Sequence, residues 1–238
     1  MRVQTLVMIL VIAVLSGVSI VLGNEYLNTK DKIQELEIAK EEQKEQQQMD
    51  LEIEKLKGYI NHLPDEYQVS GLENWQEAKQ VSNHLYEDSD GEFKKDWGTF
   101  LALEAQQREV NPLIVYELLK IETGGVFDPD LIGPETKYGH AYGLAQFMKN
   151  TGPWIADMAD LPYEDEMLFD PYYAIQLSIV YLDFLYEEYG DWDHALTAYH
   201  RGMYGLEQYI EENGDAKSWY AVEIQENVEK STLLSYDQ

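Results

Sequence analysis

The chain has 238 residues, no cysteine and a formal net charge of -28, with 45 Asp and Glu against 17 Lys and Arg. This excess of acid argues against a protein that binds nucleic-acid phosphates, and the lack of cysteine excludes disulfides, thiolate zinc sites and cysteine nucleophiles. Residues 1–58 carry 7 basic and 10 acidic side chains, whereas residues 59–238 carry 10 and 35. The acidity therefore belongs to the C-terminal part of the chain.

An uncharged, mostly apolar segment runs from Val3 to Gly23, and only Arg2 and the amino terminus contribute positive charge before it. About 20 apolar residues form a helix that spans a bilayer, and a positive flank stays in the cytoplasm. The segment is longer than a signal-peptide core and lacks an A-x-A-like cleavage site. It predicts an uncleaved transmembrane anchor over residues 1–23, with the rest of the chain outside the cytoplasm; cleavage would instead give a secreted protein.

Residues 24–62 change abruptly to Glu, Lys and Gln and contain no proline. Strong helix formers at nearly every position predict a charged helical stalk. Apolar residues with heptad spacing near its end are Met49, Ile53, Leu56 and Ile60. Because an earlier apolar patch is out of phase with them, we expect no more than weak self-association through the stalk.

A helical domain is predicted from residue 64 to residue 238. Its first part shows two apolar patterns of helical period, separated by the acidic turn Asp88–Gly91, which we expect to be solvated. Asn111 and Pro112 then suit the N-cap and first position of a helix whose surface is apolar nearly all round, which predicts that this helix is buried. We expect the helix to end at the glycine pair 124–125.

An acid, Glu122, lies at the end of this helix. Burial and the negative end of a helix dipole both raise the pKa of a carboxyl group. A carboxylic acid that stays protonated near neutral pH is what a general acid for cleavage of a glycosidic bond requires. From its position alone, Glu122 could equally be a helix-terminal Glu whose side chain points into solvent.

Five motifs occur in order, namely 121–124 (IETG), 143–148 (GLAQFM), 168–171 (LFDP), 181–182 (YL) and 198–202 (AYHRG). Together they resemble the soluble lytic transglycosylase (SLT) domain over about residues 100–212. The resemblance implies an all-α, lysozyme-like fold and an enzyme that cleaves the glycan strands of peptidoglycan.

The resemblance also implies roles for single residues. Glu122 matches the catalytic acid and base, and Thr123 matches a serine that contacts the bound sugar. Gly143, Leu144 and Gln146 belong to a segment similar to the family's GLMQ, whose Gln lies in the substrate groove. These residues are therefore expected to bind substrate.

Further groove residues are expected near the motifs. Tyr199 matches a tyrosine whose hydroxyl lies close to the catalytic carboxyl, while His200 replaces the family's usual Asn and Ala145 replaces a Met. Tyr138 and Tyr142 lie close to the motifs, and a tyrosine ring suits stacking on a sugar. We therefore expect Tyr138, Tyr142, Tyr199 and His200 to contact the glycan, and the many other tyrosines, such as those of the apolar helix 172–189, to belong to the core.

In the family that the chain resembles, one carboxyl suffices for the reaction. Glu122 would protonate the glycosidic oxygen between MurNAc and GlcNAc, the substrate's N-acetyl group would assist, and Glu122 would then deprotonate the muramic 6-hydroxyl to form a 1,6-anhydro sugar. If Asp128 or Asp130 acted as a second acid, the enzyme would be a muramidase, although the segment 127–130 is typical of a turn. A peptidoglycan-binding scaffold without activity is a further alternative.

The sequence predicts no cofactor, because neither a metal-ligand spacing nor a phosphate-binding glycine loop occurs. The expected partners are peptidoglycan glycan strands, the membrane through the N-terminal helix, and envelope or secretion-machinery proteins, with no nucleic acid. The expected location is the cell membrane, with the catalytic domain in the wall space of a Gram-positive cell. The run 218–234 predicts a last helix that packs on the domain.

Overall fold

The structure, a computed structural model, describes residues 2–59 and 74–236, with side chains for Met8, 25–58 and 74–231. The chain divides into two units, Met1–Glu54 and Lys55–Gln238. The predicted boundary between stalk and domain, at residues 62–64, lies outside the described residues.

One helix accounts for the described part of the first unit. Helix α1, Arg2–Tyr59, is 58 residues long, and from residue 25 to residue 48 every side chain is exposed. The segment predicted as a helical stalk is thus helical as far as residue 59. The side chains of the predicted anchor, residues 1–23, lie outside the described part apart from Met8. Where side chains are described, no helix combines the length and the apolar character that a membrane span needs.

The second unit is mostly helical, as predicted. Its further described α-helices are α2 (Trp75–Asp88), α3 (Lys95–Gln107), α4 (Pro112–Glu122), α5 (Gly152–Met158), α6 (Pro171–Tyr189), α7 (Trp192–Arg201), α8 (Met203–Asn213) and α9 (Trp219–Tyr236). A 3-10 helix, Asp165–Phe169, precedes α6.

Two short strands depart from the all-helical prediction. Strand β1 (Ala141–Tyr142) pairs antiparallel with β2 (Phe147–Met148), and an isolated bridge joins Ile132 to Tyr142. Strands of two residues are too short to give a period-two pattern in the sequence, which is why the prediction omitted them. The pair encloses the segment 143–146, so the glycine-containing motif forms the turn of a small hairpin.

Helix α6 lies at the centre of the core. Twelve of its 19 residues are buried, and α3, α4, α5 and α7 pack against it. It begins where the Asp170 carboxylate accepts the N–H of Tyr173, with Pro171 at the first position, and it ends at Gly190 in the left-handed conformation. The predicted apolar helix over 172–189 is therefore confirmed.

Helix α4 carries Glu122 as its last residue. It begins as predicted, with the Asn111 side chain accepting a backbone N–H and Pro112 at the first helical position. It is followed by Gly124 and Gly125, both with positive φ. Because both ends are specified by local residues, the position of Glu122 at the end of a buried helix follows from the sequence.

The acidic turn after α2 is exposed at Asp88 and Asp90, as predicted, although Ser89 is buried and Asp88 is tied to α4. The Asp88 carboxylate accepts a hydrogen bond from the Tyr116 hydroxyl at 2.7 Å and pairs with Lys120 at 2.5 Å. Lys120 lies 3.5 Å from the buried Glu117, which in turn accepts from Asn227 of α9 at 3.1 Å. A buried carboxylate needs such partners, so this network connects α2, α4 and α9.

Among the described glycines, Gly143 is the one whose replacement by alanine we expect to destabilise the fold most. Its φ is +72°, and an added Cβ would lie 1.9 Å from the backbone oxygen of Leu168. We expect Gly143→Ala to lower the free energy of unfolding by about 3 kcal/mol or more, because conformational strain and a clash with backbone add together. Urea unfolding measures the loss.

Gly190→Ala is the matched control. Gly190 has a similar φ of +77° but no atom within 4 Å of an added Cβ, so only the conformational cost of about 1 kcal/mol applies. Equal losses in the two variants would contradict the assigned contact with Leu168.

Candidate active site

A cavity of about 650 Å³ opens beside the end of α4. Its walls come from Glu122, from residues 136–151 around the strand pair, from Tyr181 of α6 and from residues 199–202 at the end of α7. Among the described lining residues, Glu122 carries the one carboxyl side chain. The cavity therefore brings a single candidate proton donor together with the strand pair and α7.

The Glu122 carboxyl is partly buried and accepts one short hydrogen bond. The hydroxyl of Tyr220 donates to its Oε1 at 2.7 Å. Burial raises the pKa of Glu122 to about 7, and the Tyr220 hydrogen bond opposes part of that rise because it favours the ionised form. Near neutral pH the group is therefore divided between acid and carboxylate, so it can both give and take a proton.

Tyr220 is held in place by the start of α9. The Thr197 hydroxyl of α7 donates to the backbone oxygen of Ala216 at 2.7 Å and lies 2.7 Å from the Ser218 hydroxyl. The Ser218 oxygen also accepts the N–H of Ala221 at 3.3 Å. Because this buried cluster fixes α9 on α7, Tyr220, two residues beyond Ser218, is positioned to reach Glu122.

His200 supports the same tyrosine from the cavity side. Its imidazole stacks on the Tyr220 ring with centroids 4.7 Å apart and planes within 5°, and its centroid lies 5.5 Å from that of Trp219. Burial, and then the charge of Arg201, lower the pKa of His200, so the imidazole is neutral near pH 7. The family that the sequence resembles usually has an Asn at the position of His200. This chain presents an aromatic ring there instead of an amide.

Tyr199 lines the cavity, but its hydroxyl has other partners. It donates to the backbone oxygen of Ala145 at 3.2 Å and lies 3.3 Å from the Ser178 hydroxyl. Burial, and then the negative charge of Glu122, raise the pKa of Tyr199 well above its ordinary value. Tyr199 is thus a protonated neighbour of the acid, while the hydrogen bond to the carboxyl comes from Tyr220.

Gln146 presents a fixed amide to the cavity. Its Nε2 donates to the backbone oxygens of Gly143 at 2.8 Å and Leu131 at 3.3 Å. Since both partners are acceptors, the orientation of the amide is determined and its oxygen is the atom that can accept from a ligand. A Cβ added at Gly133 would lie 2.5 Å from that oxygen, so the amide needs the glycine beside it.

The structure places half of the predicted substrate-binding residues in the cavity lining. Those in the lining are Tyr138, Gln146, Tyr199 and His200. Those outside it are Thr123, Tyr142, Gly143 and Leu144.

The residues outside the lining have supporting positions instead. The buried Thr123 hydroxyl donates to the backbone oxygen of Leu119 at 2.8 Å and accepts the N–H of Phe127 at 3.2 Å. Thr123 is the C-cap residue of α4. Leu144 is fully buried. Tyr142 packs edge-on against another aromatic ring, that of Phe169. These contacts give the positions of the side chains within the fold, and their contact with substrate, which the motifs predict, stays a prediction.

Several lining residues were missed by sequence reasoning. Lys137, Met148, Asn150 and Arg201 line the cavity. Met148 and Arg201 belong to the motifs 143–148 and 198–202 but were given no role there, and Lys137 and Asn150 lie outside the five motifs. Tyr181 was assigned to the core on its helical period; it is only 4% exposed and yet also lines the cavity.

The segment containing Asp128 and Asp130 forms a turn. The Asp128 carboxylate accepts the backbone N–H of Asp130 at 3.0 Å, as an Asp in a turn commonly does. Both side chains are exposed and neither belongs to the described cavity lining. Their contacts are those of the turn expected from the sequence.

The Transglycosylase SLT domain family matches residues 101–222, extending past the predicted end at residue 212 to include Tyr220. Among solved structures, the chain is similar to an inactive mutant of the lytic transglycosylase Slt from Pseudomonas aeruginosa, with 19% identity, a TM-score of 0.41, and 60% of this chain and 24% of that chain covered. It is also similar to the 70 kDa soluble lytic transglycosylase of Escherichia coli, with 18% identity, a TM-score of 0.40, and 68% and 28% covered. The chain thus spans about a quarter of the length of these proteins. A comparison with curated proteins gives no match.

We expect Tyr220→Phe to raise the pKa of Glu122 further above its present value of about 7. The substitution removes a hydrogen bond that favours the carboxylate, while the burial that disfavours it remains. A carbon-13 NMR titration of labelled glutamate carboxyls measures the change.

Tyr172→Phe serves as the control, because it removes a tyrosine hydroxyl that donates to a different carboxylate, that of Asp96, at 2.8 Å. This variant should leave the titration of Glu122 unchanged. An unchanged or lowered Glu122 pKa in Tyr220→Phe would show that the hydrogen bond does not act as assigned.

Proposed function

Because the chain belongs to the transglycosylase SLT domain family, we propose that it is a peptidoglycan lytic transglycosylase. It would cleave the β-1,4 bond between MurNAc and GlcNAc and leave a 1,6-anhydroMurNAc end. The observation that carries the proposal is Glu122, a partly buried acid with a pKa of about 7 and the one carboxyl side chain among the described cavity-lining residues.

In the first step, protonated Glu122 donates its proton to the glycosidic oxygen as the bond from that oxygen to the anomeric carbon breaks. The substrate's own N-acetyl group assists at the anomeric carbon, so this step asks for no second protein carboxylate. The leaving sugar departs with the proton and Glu122 becomes a carboxylate.

In the second step, the Glu122 carboxylate removes the proton from the muramic 6-hydroxyl, whose oxygen attacks the anomeric carbon and closes the anhydro ring. Glu122 is then protonated again, and no water is consumed. A pKa near the working pH suits a group that must act in both directions. The Tyr220 hydroxyl, 2.7 Å from Oε1, stabilises the carboxylate that exists between the two steps.

The rest of the lining suits a carbohydrate. The Tyr138 ring is 66% exposed and can stack on the apolar face of a sugar, while the oxygen of Gln146 can accept from a sugar hydroxyl. The backbone contacts that hold Gln146 fix where that acceptor lies. The cavity thus combines an open aromatic surface with a preorganised polar group.

Two alternatives are less well supported. A muramidase would need a second acid in the cavity, and the contacts of Asp128 and Asp130 are those of a turn. A scaffold without activity would not require an acid of raised pKa in contact with a buried tyrosine, an arrangement that is typical of proton-transfer sites.

The anchoring and location of the protein are part of the proposal. The uncharged segment from Val3 to Gly23, with Arg2 before it, supports a single-pass anchor that leaves the helical domain outside the cytoplasm. The exposed, charged continuation of α1 would hold the enzyme away from the membrane and within reach of the wall of a Gram-positive cell. Envelope or secretion-machinery proteins are the partners that such a placement favours.

The reaction is tested by incubating the full chain in detergent with purified peptidoglycan and determining fragment masses. We expect muropeptides one water lighter than hydrolysis products, and no release by Glu122→Gln, whose circular dichroism should match that of the wild type. Release of reducing-end fragments would support the muramidase. Binding to peptidoglycan without release would support the scaffold, and undiminished activity of Glu122→Gln would remove Glu122 from the mechanism.

The pH dependence of kcat/KM provides a second test. Because Glu122 must be protonated for the first step, kcat/KM should fall as the pH rises through about 7, the pKa of the free enzyme's acid. In Tyr220→Phe the falling limb should move to higher pH. Activity that continues to rise well beyond that pH would be incompatible with Glu122 as the general acid.

A further inference from the structure

The charges around the cavity differ from those of the surrounding domain. Residues 59–238 carry 10 basic and 35 acidic side chains. The described cavity lining nevertheless contains two cations, Lys137 and Arg201, and one carboxyl, Glu122. The cavity is therefore a local exception to the negative field that the domain presents elsewhere.

Both cations rest on aromatic rings. The Nζ of Lys137 lies 4.7 Å from the centre of the Tyr138 ring, and the Cζ of Arg201 lies 4.6 Å from the centre of the Tyr209 ring. A cation–π contact orients a charged side chain without neutralising it. Within the described residues, neither cation forms an ion pair with a carboxylate.

Four other cations of the domain, Arg108, Lys120, Lys149 and Lys230, are paired with acids, whereas Lys94, Lys95 and Lys217 form no ion pair with the described residues. Arg108 lies 3.0 Å from Asp183, and Lys149 lies 2.8 Å from Asp165. An unpaired cation is therefore not unusual in this domain. Lys137 and Arg201 differ from the other unpaired cations because both line one cavity with a single carboxyl side chain, so an anionic group of a ligand can bind between them.

The two cations approach from separate elements. Lys137 lies in the turn closed by hydrogen bonds between Thr136 and Gly139, whereas Arg201 is the last residue of α7. Sugar rings are neutral and need no cation, but muramic acid carries a carboxylate on its lactyl group or on the peptide attached to it. A charge-assisted hydrogen bond to such a carboxylate is stronger than one to a neutral hydroxyl.

We propose that Lys137 and Arg201 bind a carboxylate of the muramic acid substituent and so select carboxylate-bearing glycan strands. The inference rests on the proposed function for its substrate. In an acidic domain that repels an anionic polymer, these two contacts make strand binding depend on the cavity alone. The lactyl carboxylate and the peptide carboxylates share this chemistry and are distinguished by the test.

The test measures binding by the full chain carrying Glu122→Gln, so that no strand is cut during the measurement. The ligands are soluble peptidoglycan strands with free carboxylates and the same strands with their carboxylates amidated. We expect Lys137→Gln and Arg201→Gln each to weaken binding of the free-carboxylate strands about threefold to fivefold. On amidated strands neither substitution should have an effect.

Lys230→Gln is the matched control, because Lys230 is exposed and pairs with Glu226 outside the cavity lining. It removes the same charge and should bind both ligands as the parent does. Equal losses on free and amidated strands, or no loss on free strands, would overturn the inference. Loss in the control equal to that in the cavity variants would also overturn it, since the effect would then come from overall charge.

Strands stripped of their peptides keep only the lactyl carboxylate and identify the source. If Lys137→Gln and Arg201→Gln still weaken binding to these strands, the lactyl group is the ligand; if they do not, the peptide carboxylates are.

The proposed reaction and the proposed carboxylate site can fail separately. If wild-type protein releases no product but the binding differences persist, the proposed reaction fails and the carboxylate site stands. Product release without the binding differences overturns the carboxylate site alone.

Discussion

The hydrogen bond from Tyr220 to Glu122 joins the end of α4 to the start of α9 across 98 residues of sequence. It sets the balance between acid and carboxylate at the proposed proton donor, since burial raises the pKa of Glu122 and this contact lowers it. The bond in turn requires α9 to be fixed on α7 by Thr197 and Ser218. The acidity of one side chain is therefore a property of the assembled domain, and local unfolding of α9 would change it.

The elements that could be predicted are those specified by neighbouring residues. Asn111 and Pro112 begin α4, a glycine pair follows it, and Gly190 ends α6; each acts within one turn of its own position. Glu122 was therefore placed correctly at the end of a buried helix. Tyr220 was not predicted as a site residue. Nothing in its local sequence indicates a partner 98 residues away, and the predicted resemblance to the family ended at residue 212.

The predicted substrate-binding residues and the residues that line the cavity differ because the sequence does not give the direction of each side chain. The motif residues Thr123 and Leu144 are buried in the supporting structure. Lys137, which lies outside the five motifs, and Arg201, a motif residue that was given no role, both line the cavity. At the acidic turn the sequence correctly indicates exposed polar residues, but it does not indicate that Tyr116 and Lys120 contact the Asp88 carboxylate. Whether a polar group faces water or a partner depends on packing between elements that are distant in sequence.

Gly133 lies where an added Cβ would meet the Gln146 oxygen at 2.5 Å, and the Gln146 nitrogen is bound to backbone oxygens. The Gln146 amide is thus held by main-chain acceptors and by the lack of a side chain at Gly133. This part of the cavity wall therefore has little freedom to change its conformation. If the cavity binds a glycan as proposed, substitutions at Gly133 or Gln146 would change its glycan preference only at the cost of disturbing the acceptor itself. The exposed rim at Tyr138, which bears no such constraint, is where altered specificity could be engineered or could evolve.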